Sequence, residues 1–384
     1  MKTDMTNRSP AEIFPPGEYI QDELDARGWT QDDLAQILGR PLNAVNQIIK
    51  GKRGITPETA RGLGAAFGTS AEMWMNLENA YQLANLESDK HNEVSRRARL
   101  FSIAPVNEMV RRGWIASGNI DQLEDGLQRF FSTSDLDRIQ PLSMAARKST
   151  SYEETTSPQL AWGYRALRLA RAVQAGGFSA SRLANELPKL RALAEHPENI
   201  RKIPLLLASW GVRLVLVSHL EKTRIDGATL WLDAQNPVVA MSLRFDRIDY
   251  FWHTLIHELI HVKKSHATID SDLVSDAKGE RGLAETTELE QSVNTEAAAL
   301  LVQRDKLESF IIRTSPLYSR EKVVRFAQAN GVHPGIVVGQ LHHRYLQSGD
   351  GIPPKNFRDL LVPVRQLIIG QTITDGWGHN PGAF

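Results

Sequence analysis

Three short apolar runs followed by one long helical stretch place the strongest constraint on the fold of this chain of 384 residues. The runs at 212–217, 228–232 and 238–243 are rich in β-branched and apolar residues, and pairs of turn-forming residues separate them. Such runs predict three short strands. The stretch near 246–264 then predicts a long helix directly after the strands.

The remaining pattern is helical, and it predicts the α+β class with mostly α structure. Boundaries are expected near residues 85, 205 and 305. They separate an all-α N-terminal domain (1–85), a helical connecting region (86–205), a domain with a small three-stranded sheet (206–305) and a helical C-terminal extension (306–384).

Composition excludes several classes of protein and of site. The chain has no cysteine, so any metal must be held by His, Asp, Glu or water. Lysine plus arginine balances aspartate plus glutamate at 45 each, which argues against non-specific coating of nucleic acid but permits a local basic face. No secretory signal and no run of about 20 apolar residues is visible. We therefore expect a cytoplasmic protein without a membrane partner.

The sharpest local motif is HELIH at 257–261, an HExxH pattern. Residues four apart share a helix face, so His257 and His261 can reach one ion. Glu258 lies beside the first histidine, where it can act on a metal-activated water as general base. Zinc with three protein ligands is the expected cofactor, and manganese or iron remains an alternative.

A third ligand is expected on the next helix, where Glu290 and Asn294 share a stripe with Ala297 and Leu301. Because that stripe is otherwise apolar, Glu290 is predicted to point inward and to complete the metal site. Three other glutamates remain alternatives: Glu285, Glu288 and Glu296. His266 is set aside because the motif lacks the glycine of HExxHxxGxxH.

Other histidines extend or flank this pattern. His253 lies one turn before His257 on the same face, and packing is the favoured interpretation. The alternatives are contact with substrate, stabilisation of a charged intermediate, or support of the metal ligands together with Asn294. Three more distant histidines are expected to be ordinary core or surface residues, with a role of one of them as an electrophile at the site as the alternative: His333, His342 and His343.

The segments MSLRFDRIDYFWHTLIHELIHV and ELEQSVNTEAAALL resemble the ImmA/IrrE family of metallopeptidases. Glu290 and Asn294 match the glutamate and asparagine of that family's ExxAN pattern, with Val293 in place of the usual alanine. The resemblance covers about a quarter of the chain. It implies a zincin-like fold that cleaves proteins, often transcriptional repressors, with the two HExxH histidines and the ExxAN glutamate as metal ligands.

A second motif lies near the N-terminus. Thr30 and Asp33 predict a capped helix that ends at Gly39, and Asn43 is predicted to cap a second helix at 44–50. Two helices joined by a short turn form a helix-turn-helix, whose second helix enters the major groove. The amides of Asn43, Asn46 and Gln47 suit adenine edges. Three basic residues are expected to contact phosphates: Lys50, Lys52 and Arg53.

The segment from WTQDDLAQILG through GKRGIT to FGTSAEMWMNL resembles HigA-type antitoxins of the XRE family. The resemblance covers about residues 14–84 and implies a homodimer on palindromic operator DNA. Basic residues predominate over 40–61 and acidic residues over 18–33, so the expected binding is salt-sensitive. A helical protein-interaction module on the same scaffold is the alternative.

Together these motifs predict a DNA-binding transcriptional regulator with a zinc-dependent endopeptidase domain. Its expected substrate is a regulatory protein, such as a repressor or a toxin–antitoxin partner. The alternative is a non-catalytic repressor or antitoxin whose zincin-like domain senses a ligand or binds a partner.

Overall fold

A computed structural model describes residues 14–85, 88–140, 142, 156–221, 223–265, 268–271 and 288–378. The chain divides into two compact units, residues 1–96 and 97–384. Within the described ranges, no helix has the length and apolar character needed to cross a membrane.

The described part of the first unit is helical. Its helices are α1 (Pro16–Arg27), α2 (Gln31–Leu38), α3 (Leu42–Ile49), α4 (Pro57–Phe67) and α5 (Ala71–Asn85), and α6 (Ser88–Ile103) continues into the second unit. Thr30 and Asp33 form a reciprocal capping box at the start of α2, and Gly39 ends the helix with a left-handed φ of 63°. Both predicted ends of α2 are confirmed.

The second helix of the motif begins earlier than predicted. Leu42 is the first residue of α3, and Pro41 precedes it as an N-cap without a side-chain hydrogen bond. The prediction that Asn43 caps this helix is therefore wrong. Pro41, with a φ of −58° and a ψ of 136°, takes the N-cap position, so the helix starts directly after it and Asn43 lies within the first turn.

A small apolar core holds the first unit together. Val45 and Ile48 of α3 are 1% and 4% exposed, and they pack in one cluster with Leu34 of α2 and Leu63 of α4. This packing fixes α2 and α3 in the arrangement of a helix-turn-helix and leaves the opposite side of α3 at the surface.

The second unit combines helices with one mixed sheet. Its helices are α7 (Val106–Arg111), α8 (Ile120–Phe131), α9 (Ser157–Ala170), α10 (Ala180–Glu186), α11 (Ile203–Ser209), α12 (Ile248–Lys263), α13 (Glu288–Leu301), α14 (Arg304–Thr314), α15 (Arg320–Ala329), α16 (Pro334–Ser348) and α17 (Arg365–Ile368). Its strands are β1 (Arg213–Val217), β2 (Ile225–Trp231), β3 (Pro237–Met241), β4 (Thr268–Ser271) and β5 (Thr374–Asp375). Short 3₁₀ helices lie at Leu136–Arg138, Leu187–Leu193, Pro197–Lys202 and Arg358–Leu360.

The strand order is β4-β2-β3-β1-β5. Strand β1 is parallel to β3 and β5, whereas β2 is antiparallel to β3 and β4. Alternate residues of β1 belong to different cores, since Leu214 and Leu216 face one cluster and Val215 and Val217 face the other. The sheet is buried on both faces, which explains why its central strands read as continuous apolar runs.

The prediction of a three-stranded sheet is wrong, because β4 and β5 extend it at its two edges. Both edge strands are short and come from sequence without an apolar run, so they carry no recognisable strand signal. Helix α9, from the predicted connecting region 86–205, packs on one face of the sheet, and α16, from the predicted extension 306–384, packs on α12. Both helices belong to the second compact unit.

The central helix α12 is apolar on nearly every side, as expected of a buried helix. It packs against β2 and β3 on one side and against α13 and α16 on others. This position brings the HExxH residues between the sheet and α13.

Candidate metal centre and nucleic-acid interface

The two histidines of the HExxH motif face each other on adjacent turns of α12. Nε2 of His257 lies 3.0 Å from Nε2 of His261, and both side chains are fully buried. Two imidazole nitrogens at this distance can share a hydrogen bond, with one ring as the donor, or can hold one cation through both of their lone pairs. The spacing of four residues therefore produces the convergence that the sequence predicts.

Glu290 of α13 supplies a third donor. Its Oε2 lies 3.3 Å from Nε2 of His257 and 3.4 Å from Nε2 of His261. A tetrahedral cation with ligands at about 2.0–2.2 Å requires donor separations of about 3.3–3.6 Å, close to these values. The donor set and its dimensions fit a divalent zinc-like ion held by His257, His261 and Glu290.

The charge on Glu290 also suits a ligand. Burial raises the pKa of its carboxyl, but hydrogen bonds from His257 and His261 outweigh that effect and lower the pKa to about 2. The side chain is therefore ionised at neutral pH.

Asn294 orients the first histidine from one turn further along α13. Its Oδ1 accepts hydrogen bonds from Nδ1 of His257 at 3.0 Å and from Nε2 of His253 at 3.3 Å. Because an amide oxygen only accepts, Nδ1 of His257 must carry a proton, so in the neutral imidazole Nε2 is the nitrogen with a lone pair for a metal ion, and only the protonated ring donates from Nε2 to Glu290. This is the support from outside the ligand set that metal-binding histidines commonly have.

Glu258 lies between α12 and the sheet, fully buried. The hydroxyl of Thr229 on β2 is 2.7 Å from Oε2 of Glu258 and 2.9 Å from its backbone oxygen. Gly227, two residues earlier on β2, provides the space beside this carboxylate, since a Cβ there would stand 2.5 Å from its Oε1. Strand and helix therefore fix the position of the glutamate.

Sequence reasoning missed Thr229 and Gly227. The available signal was the threonine itself, a polar residue within a strand whose neighbours are apolar and buried. A fully buried hydroxyl needs a partner, which points to a nearby polar site.

The alternative glutamates do not replace Glu290 among the described residues. Glu296 pairs with Lys263 and Lys264 instead, and although burial raises the pKa of its carboxyl, these lysines lower it below its usual value. Glu288 is exposed. Glu285 and His266 lie outside the described residues.

The other histidines have separate environments. Burial, with the nearby charges of His257 and His343, lowers the pKa of His253 to about 3, so its imidazole is neutral beside Asn294. His333 caps α16 by accepting the amide proton of Gly335, and His342 lies 2.9 Å from the backbone oxygen of Asn356. Burial lowers the pKa of the His343 imidazole.

The predicted base-reading amides of α3 differ in their surroundings. Asn46 donates to Oε1 of Gln31 on α2 at 3.2 Å, so its side chain is held against the neighbouring helix. Asn43 is exposed and Gln47 is half-buried, and neither side chain makes a hydrogen bond to the described residues. Asn43 and Gln47 are thus the two amides of this helix available to a ligand.

The basic residues after α3 lie on a short, well-defined turn. Gly51 has a φ of 66°, and the backbone amides of Lys52 and Arg53 both donate to the carbonyl of Gln47. The side chains of Lys50, Lys52 and Arg53 are exposed, and no ion pair to a described residue neutralises them. This turn presents three positive charges beside the exposed side of α3.

Comparison with known proteins identifies this first unit. A family model described as helix-turn-helix matches residues 20–74. The HTH-type transcriptional regulator YddM of Escherichia coli K12 is 36% identical over 85 residues, which cover 22% of this chain and 88% of that protein. The chain belongs to the helix-turn-helix family. Virulence-associated protein I of Dichelobacter nodosus is 37% identical over 87 residues, or 22% of this helix-turn-helix protein and 79% of the relative.

Solved structures similar to part of this helix-turn-helix protein include an addiction module antidote protein of a HigA family from Coxiella burnetii. It is 32% identical, with a TM-score of 0.21, over 22% of this chain and 94% of that chain. The Pseudomonas aeruginosa antitoxin HigA with the higBA promoter is 34% identical, with a TM-score of 0.21, over 22% and 91% of the two chains.

Proposed function

We propose that this protein is a DNA-binding transcriptional regulator whose second unit is a zinc-dependent endopeptidase acting on a regulatory protein. One observation supports the peptidase above all others. Three donors from two helices converge with separations of 3.0–3.4 Å, and a buried glutamate lies next to one of them in sequence. That glutamate distinguishes a catalytic arrangement from a purely structural metal site.

His257, His261 and Glu290 would hold the ion. When bound at three protein ligands, zinc acts as a Lewis acid and lowers the pKa of water to about 7. Asn294 keeps the imidazole of His257 in the ligating tautomer.

Glu258 would move the protons of the reaction. Its carboxylate accepts a proton from the attacking water and delivers it to the nitrogen of the departing peptide. The hydroxyl of Thr229 holds one carboxylate oxygen, which limits the rotation of the side chain. Precise placement of such a base is a large part of its effect.

Zinc binding tests the metal centre. The purified full chain, loaded with zinc and dialysed against metal-free buffer, is expected to retain one zinc ion per chain by elemental analysis. His261→Ala removes one of three donors and should lose this zinc. His196→Ala, at an exposed histidine, is the matched control and should retain it. A wild-type chain that binds no zinc, manganese or iron would contradict the proposal.

The second candidate function is a non-catalytic regulator whose second unit senses a ligand or binds a partner. The membership of the first unit in the helix-turn-helix family favours regulation in either case. Stoichiometric zinc together with complete absence of peptide cleavage would select this candidate.

The DNA-binding half of the proposal is supported by the basic turn and by the amides of Asn43 and Gln47, which make no hydrogen bond to the described residues. The full chain is expected to select one duplex sequence from a random pool, and its affinity for that duplex should fall with rising salt. Lys52→Ala should reduce the slope of log affinity against log salt by about 1. Lys355→Ala, at an exposed lysine of the second unit, should leave the slope unchanged. If the selection enriched no sequence, sequence-specific DNA binding would be refuted.

A further inference from the structure

Leu42 is one of several apolar residues that are exposed in the first unit, with Ile37 and Leu83 among the others. It is 45% exposed, whereas the other apolar residues of α3 that enter the core, Val45 and Ile48, are almost completely buried. Isolated surface leucines are common and need no function. Leu42, however, is the first residue of α3, which is the second helix of the helix-turn-helix.

The start of α3 determines what Leu42 can reach. In helix-turn-helix proteins the N-terminal residues of the second helix contact base edges in the major groove. Since α3 begins at Leu42 after Pro41, Leu42 and Asn43 are its first two residues, and both are exposed. An exposed leucine at that end would lose water from its surface when DNA binds.

Only one group in the major groove of unmodified DNA is suited to an alkyl side chain. Thymine presents a 5-methyl group there, and every other base edge presents hydrogen-bond donors and acceptors. Resting on the DNA-binding function proposed above, we propose that Leu42 packs against the 5-methyl group of a thymine and makes the operator site specific for that methyl group.

The neighbouring side chains are consistent with this reading of an A·T pair. Asn43 and Gln47 carry the amides that remain available on α3, and such amides pair with the N6 and N7 atoms of adenine. Asn46 is held by Gln31 and does not compete for the same position. Lys50, Lys52 and Arg53 supply phosphate contacts that carry no sequence preference.

The test exchanges thymine for deoxyuridine, which lacks the 5-methyl group and keeps the same base pairing. Duplexes selected from a random pool by the full chain are synthesised with each thymine replaced in turn, and affinity is measured by fluorescence anisotropy at fixed salt. At one thymine per half-site, the wild-type protein is expected to bind the deoxyuridine duplex about four-fold more weakly, which corresponds to about 0.8 kcal/mol for one buried carbon.

Variants then assign this effect to Leu42. Leu42→Ala should bind thymine and deoxyuridine duplexes equally, whereas Leu42→Met should keep the preference for thymine because it keeps an alkyl surface. Leu205→Ala, at an exposed leucine of the second unit, should behave as the wild type. Circular dichroism checks that each variant folds.

Four results would overturn the inference, and they have different meanings. Wild-type affinity that is insensitive to every exchange, or Leu42→Ala that keeps the wild-type sensitivity, excludes the methyl contact while DNA binding stands. A change in oligomeric state of Leu42→Ala by sedimentation, with the thymine preference intact, assigns the leucine to a contact between two copies. If the selection enriches no sequence, the protein does not bind DNA sequence-specifically, and both the proposed DNA-binding function and this inference are wrong.

Discussion

Glu258→Gln is expected to abolish peptide cleavage while leaving zinc binding intact. Glutamine has nearly the same shape and can still accept a hydrogen bond from Thr229, but it cannot take a proton from water. General acid–base catalysis by a positioned side chain contributes about 10²- to 10⁴-fold, so a loss of this size is expected. Cleavage is measured by mass spectrometry as new N-termini in a proteome-derived peptide mixture, and zinc by elemental analysis.

Glu296→Gln is the matched control for this substitution. Glu296 lies on α13 close to the metal ligands in sequence, but its carboxylate pairs with Lys263 and Lys264. Its variant should cleave as the wild type does. If Glu258→Gln retained wild-type turnover at full zinc occupancy, Glu258 would not be the base. If the zinc-loaded wild type produced no new N-termini, the non-catalytic regulator would be the better description.

Local periodicity is what made the metal site predictable. A spacing of four residues places His257 and His261 on one face of any helix, so their convergence follows once α12 forms. The position of Glu290 follows in the same way from the apolar residues that share its stripe, since Ala297 and Leu301 must face the core. Each inference uses contacts within one helix or one amphipathic face.

Contacts between distant elements were not predictable from one sequence. The hydroxyl of Thr229 meets Glu258 across 29 positions of the chain, because β2 and α12 happen to pack at that register. Strands β4 and β5 exist because the edges of the sheet accept short segments, not because those segments favour strand structure. Tertiary packing decides both, and a single sequence carries little information about it.

In the helix-turn-helix too, local signals were predictable from the sequence and contacts between elements were not. The capping box of Thr30 and the terminal Gly39 are local signals, and both were predicted correctly. The start of α3 was misplaced because asparagine is a good N-cap in general, whereas Pro41 takes the N-cap position here and the helix begins at Leu42. The bond from Asn46 to Gln31 joins two helices and had no local signal.

Asp375→Asn is expected to destabilise the second unit by about 3–5 kcal/mol, the typical cost of removing one partner from a buried ion pair. Oδ2 of Asp375 lies 2.5 Å from Nε of Arg165 and accepts a hydrogen bond from Nε1 of Trp114 at 2.9 Å. Arg165 is completely buried and Asp375 is 2% exposed. Asparagine can keep a hydrogen bond but supplies no negative charge to the guanidinium. The free energy of unfolding in urea measures the loss.

Two further variants distinguish the effect of an uncompensated buried charge from the effects of losing an exposed ion pair or side-chain packing. Glu321→Gln breaks an ion pair with Arg325 in which both side chains are more than three-quarters exposed, and it should cost about 0–1 kcal/mol. Arg165→Met combined with Asp375→Asn removes both charges and should be more stable than Asp375→Asn alone, because no buried cation then lacks its counter-charge. If the double variant were the less stable of the two, the cost would arise from lost packing around Trp114. The uncompensated charge of Arg165 would then cost less than the packing of its side chain contributes.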